Sequence, residues 1–70
     1  MKSFNRKSRE EIISFHINEV DRLIKLEREA KTEKRSVVAT GAHLMLMTHV
    51  LTLRECFNID LMSIVIQALK

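Results

Sequence analysis

Residues 37–53, VVATGAHLMLMTHVLTL, carry no formal charge in a chain where 30% of residues are charged. The run still holds one glycine, three threonines and two histidines among its apolar residues. Projected at about 100° per residue, its apolar side chains go nearly all the way round. The exception is a narrow stripe of Gly41, Thr48 and Thr52 that continues to Glu55. A helix that is apolar on most sides is central in its assembly. The run therefore predicts a helix from about Val37 to Phe57, acting as the core helix of an oligomer.

The flanking sequence sets the company this helix keeps. Ser8-Arg9-Glu10-Glu11 has the form of a capping box, with hydroxyl and carboxylate each satisfying a backbone amide of the other residue. Glu10 and Glu11 also suit the positive end of a helix dipole. A first helix should start near Arg9. From there Ile12, Ile13, Ile17, Val20, Leu23, Ile24, Leu26 and Ala30 fall on one side, with Ser14, Asn18, Asp21, Arg22, Lys25 and Glu29 opposite. The apolar sector spans roughly half the circumference, wide enough to touch two neighbouring helices. His16 and Glu27 lie inside it.

The pattern breaks around Thr32–Ser36, although neither glycine nor proline forces a turn there. Thr32 or Ser36 is a candidate cap for the second helix. A short connection and an antiparallel hairpin are expected, because one continuous helix would leave both apolar faces uncovered. Asn58 or Asp60 can cap a third segment, Leu61–Leu69, whose apolar side holds Leu61, Met62, Ile64, Val65, Ile66 and Leu69. The expected fold is all-α: an antiparallel helical hairpin plus a short third C-terminal helix, forming a helical bundle by homo-oligomerisation. The expected organisation is a basic N-terminal arm, residues 1–8, and one helical domain, residues 9–70.

Composition supports this frame. The 70 residues include no proline, one glycine and three phenylalanines. Period-two alternation and hairpin dipeptides such as Asn-Gly are missing, so strands are not expected. A chain this short buries a small fraction of its surface, and its own core would be marginal. Apolar surface shared between subunits resolves the shortfall. The expected interface residues are Ile13, Ile17, Val20, Leu23, Ile24, Leu44 and Leu51.

Several function classes are disfavoured. The single cysteine, Cys56, forms no internal disulfide and fits a reducing, cytoplasmic setting. No apolar signal-peptide core opens the chain, and the uncharged run falls short of the ~20 residues a membrane span needs. No membrane partner is expected. His43 and His49 point to different sides of one helix. His49 and Cys56 share a face, but about 10.5 Å of helical rise separates them, too far for one zinc ion. No metal or cofactor is expected. His16 and Glu27 sit about 16 Å apart along one helix, so they cannot form an acid–base pair within a subunit. No nucleophile or cofactor cradle accompanies them, and no catalytic residue is assigned.

Two binding features remain. Lys2, Arg6, Lys7 and Arg9 form a basic arm of the kind that contacts phosphates. A net charge of +3 and the lack of a recognised nucleic-acid motif make solvated charge the commoner explanation, so nucleic acid is an unlikely partner. The Gly41/Thr48/Thr52 stripe permits close approach of a second helix, with the hydroxyls bonded back to helix carbonyls. Alternatively it lines a pocket, with Gly41, Thr48, Thr52 and Arg54 as ligand-binding residues.

The segment VATGAHLMLMTHVLTLR, residues 38–54, resembles the second helix of phage helical-hairpin sponges. Val38, Ala39, Gly41, Ala42 and Arg54 match that family's pattern, and the capped first helix corresponds to its first arm. Leu44, Met45 and Leu46 stand where the family has polar residues. The resemblance implies a phage inhibitor that sequesters a cyclic nucleotide signal of bacterial immunity. Read from its architecture alone, the chain is a small non-catalytic binding protein. It would regulate or inhibit a protein partner, a form that suits a phage or mobile-element accessory factor. A nucleic-acid-associated regulator is the third reading.

Overall fold

The computed structural model describes residues 8–70. Three helices follow in order: α1 (Arg9–Thr32), α2 (Ser36–Phe57) and α3 (Met62–Leu69). No strand occurs among the described residues.

The capping box starts α1. Ser8 Oγ accepts from the Glu11 amide at 3.2 Å, and the Ser8 amide donates to Glu11 Oε1 at 2.9 Å. Two otherwise unpaired backbone donors are thereby satisfied.

The chain turns after Thr32 without glycine. Lys34 takes a left-handed φ of 59°, and the Arg35 amide donates back to the Ala30 carbonyl at 2.8 Å. The Glu33 amide reaches Glu29 at 3.0 Å and the Lys34 amide reaches Lys31 at 3.1 Å, closing the carbonyl end of α1. This is the turn usually taken by glycine, here occupied by lysine at a conformational cost. Neither expected cap serves α2. Thr32 Oγ1 donates back to the Arg28 carbonyl at 3.0 Å, Ser36 is already helical, and Arg35 at the N-cap makes no side-chain capping bond.

α2 ends at Asn58, again left-handed with φ 58°, a conformation asparagine tolerates better than most residues. Neither Asn58 nor Asp60 occupies the N-cap of α3, which is Leu61 and makes no side-chain capping bond; Asp60, one residue earlier, accepts from the Met62 amide through Oδ1 at 3.0 Å.

Contacts between α1 and α2 run in opposite sequence order. Arg9 meets Phe57, His16 meets His49, and Glu27 meets His43. Between these levels lies the core. Leu23, Leu46, Val50, Leu53 and Val65 are fully buried, with Val20 and Ala42 beside them. Ile13, Ile24, Leu26, Leu61, Met62 and Leu69 pack against this cluster while partly exposed. Val65 is the fully buried residue of α3, flanked at the core by Met62 and Leu69, whereas Ile64 and Ile66 on the same helix are exposed.

Two expectations need correction here. Val20 and Leu23, expected at an interface between subunits, are already buried by α2 and α3 of the same chain. A side chain with no exposed surface has nothing left for a second copy. Ile13 and Ile24 are likewise occupied in part by this core, while Ile17, Leu44 and Leu51 stay exposed. The second correction concerns length. Counting only the uncharged run made α2 too short for a membrane, but the helix continues through Arg54–Phe57. At 22 residues it is long and apolar enough to cross one, by length and composition alone.

Candidate functional site

The polar groups within the apolar sector of α1 find their partners on α2. Glu27 is 1% exposed, yet its carboxylate is fully engaged. Oε1 accepts from His43 Nδ1 at 3.1 Å, and Oε2 lies 2.9 Å from Lys31 Nζ, one turn further along α1. A carboxylate removed from water needs such partners. No buried side-chain nitrogen or oxygen among the described residues is left without one. Glu27 is expected within the apolar sector of α1, out of reach of His16 on the same helix. The structure buries it there, alongside the buried Ala30 and Ala39.

The second junction lies toward the other end. His16 Nδ1 and His49 Nδ1 are 2.8 Å apart. One ring must donate its Nδ1–H to the bare Nδ1 of the other. Phe15 meets both rings edge-on, at 5.2 Å and 6.0 Å between centroids, and Phe57 lies 6.2 Å from His16. Beside this cluster, Arg22 binds Glu19 at 2.8 Å and holds its carboxyl below the usual range, with the charge of His49 adding to the effect.

Arg9 finishes that end. Its guanidinium stands 5.2 Å over the Phe57 ring, and Nη2 donates to the Phe57 carbonyl at 3.3 Å. The sequence groups Arg9 with Lys2, Arg6 and Lys7 as a candidate phosphate contact. Arg9 is instead held against the end of α2, and the other three lie outside the described residues.

The small-residue stripe falls on the side of α2 turned away from α1. Thr48 Oγ1 donates to the Leu44 carbonyl at 2.9 Å, and Thr52 Oγ1 donates to the Thr48 carbonyl at 2.8 Å. Both donors are spent on their own helix. Space beside Gly41 is open, since a Cβ built there meets nothing within 4 Å. Gly41 borders a shallow hollow of about 410 Å³ with Ser36, Val37, Thr40 and Leu44. Thr48, Thr52 and Arg54 do not line that hollow, so the four expected ligand residues are not gathered around one cavity. A neighbouring hollow of about 240 Å³ lies across Thr40 and Leu44, lined also by Glu27, Lys31 and His43.

The same side of α2 carries its largest exposed apolar groups. Val37 is 86% exposed, Leu44 63%, Met45 51% and Leu51 46%. Among the described residues no group of three or more histidine, cysteine or acidic side chains is arranged to hold a metal ion. Sequence reading missed the two junctions because it tested histidines along one helix. Their signal was the presence of His16 and Glu27 in one apolar sector opposite a helix that also carries two histidines.

Comparison with known proteins adds no relative to this geometry: no family model, no curated protein and no solved structure matches the chain.

Proposed function

We propose that this is a non-catalytic binding protein, an antiparallel helical hairpin with a short third helix that homo-oligomerises and regulates or inhibits a protein partner. The observation that carries this reading is the outward side of α2. It has no charged residue from Ser36 to Leu53 and exposes Val37, Leu44, Met45 and Leu51 on a helix whose other side is already the core. Apolar surface of this kind, on a chain too short to cover it, marks an interaction site. The opposed order of the contacts Arg9–Phe57, His16–His49 and Glu27–His43 supports the antiparallel arrangement. The test is Leu44→Lys, which adds charge to the outward side without touching the core. Unchanged helicity with loss of self-association is expected; association equal to the parent's would contradict the assignment of this face.

A second reading, sequestration of a cyclic nucleotide, draws on the two adjoining hollows. Thr40 lies between them, with the cationic end of Lys31 and the ring of His43 on one side. Melting curves with cyclic mono- and dinucleotides test it. Bound ligand at a hundred times its dissociation constant adds about 2.7 kcal/mol to stability, and an unshifted curve removes this reading.

A further inference from the structure

The outward side of α2 has an internal order that a general apolar patch would lack. Val37, Leu44 and Leu51 recur every seven residues along one edge, and Gly41, Thr48 and Thr52 form the other edge. Large groups thus line one side of the seam and small groups the other. Two copies packed with parallel helices would place large beside large and small beside small. Two copies packed in opposite directions about a point level with Leu46 would place Leu44 and Leu51 each beside a small group. Leu44 then meets Thr48 of the second copy, and Leu51 meets Gly41 of the second copy, where the structure shows open space.

The charges agree with the same arrangement. The N-terminus of α2 has no side-chain cap and no acidic residue in its first turn, so its positive dipole end is uncompensated. Glu55, on the same side near the other end, makes no ion pair among the described residues. In the opposed packing Glu55 of each copy lies beside Val37 of the other, at that dipole end. A two-fold interface of this type uses one patch twice, and each contact occurs in duplicate.

We infer that the partner of this face is a second copy of the chain, docked α2 against α2 in opposite directions with Leu51 seated over Gly41 of its mate. The inference rests on the self-association proposed above and specifies its geometry. Disulfide trapping tests it, using full-length chains in a Cys56→Ser background. One chain carries Gly41→Cys, the other Leu51→Cys, and they are mixed before air oxidation. Neither change disturbs the core: Gly41 has room for a side chain, and Leu51 is exposed. The mixture should yield mainly the mixed disulfide, lost when oxidation is done in guanidinium. Leu51→Cys alone should stay largely uncrosslinked, because opposed packing leaves its two copies about 15 Å apart along the axis, beyond disulfide reach. Glu55→Gln should weaken association of the parent chain about three- to thirtyfold, because each dimer loses the charge–dipole contact twice. Efficient crosslinking of Leu51→Cys with itself would overturn the inference in favour of parallel helices. No mixed crosslink while the parent sediments as an oligomer would overturn it too, and leave self-association through another face. A monomeric parent would remove both.

Discussion

Glu27 on α1 and His43 on α2 are joined by a 3.1 Å contact in which the carboxylate is almost fully buried and the imidazole is about half exposed. This asymmetry sets its energetics. Lys31 also reaches the carboxylate from the exposed side, so loss of the histidine does not leave a bare charge. His43→Leu should therefore cost about 1–3 kcal/mol, the range for a buried acceptor deprived of one partner. Glu27→Leu combined with His43→Leu should recover part of that loss, because replacing both partners by apolar groups removes the burial penalty. Urea denaturation of the two single variants and the double variant measures the coupling; strict additivity would show that the pair does not interact.

The His16–His49 junction predicts a modest loss of stability when one ring is removed. One ring donates its Nδ1–H to the bare Nδ1 of the other at 2.8 Å. His49→Ala should cost about 0.5–1.5 kcal/mol, the usual net worth of one hydrogen bond. Urea denaturation of the variant and the parent measures it; an unchanged midpoint would rule out the junction as a source of stability.

Lys34 holds a left-handed φ of 59° in the turn between α1 and α2. A side chain in that region carries a penalty of roughly 1–2 kcal/mol that glycine avoids. Lys34→Gly should raise the denaturation midpoint, by an amount reduced by the greater freedom glycine gives the unfolded chain. A lower midpoint would show that the turn does not keep this conformation in solution.

Leu23→Asp and Lys25→Asp separate the two sides of α1. Leu23 has no exposed surface, and Lys25 extends into solvent beside Asp21. An unpaired carboxylate at Leu23 costs several kcal/mol, comparable to the whole stability of a small domain. Circular dichroism should show an unfolded or molten Leu23→Asp chain and a helical Lys25→Asp chain.

Much of the helical order was legible because its signals are local. Ser8 and Glu11 announced the start of α1, and the position of Leu23 opposite Lys25 gave its buried side. The turn was harder to read. Its position followed from the break in periodicity, but its geometry depends on Lys34 in a conformation that lysine seldom signals. The role of α2 was read in part. Its apolar girth was visible, but the division between core and free side was not. That division is set by which flank meets α1, through Ala42, Leu46, Val50 and Leu53. The polar junctions were hidden for the same reason. Glu27–His43 and His16–His49 are contacts between α1 and α2, and the spacing of residues within a single helix carries no information about them.

Sedimentation equilibrium of the parent chain at micromolar concentration tests the central claim most directly. The exposed seam of Val37, Leu44 and Leu51 predicts a dimer or higher oligomer that dissociates on dilution. A well-folded monomer across the whole concentration range would contradict it.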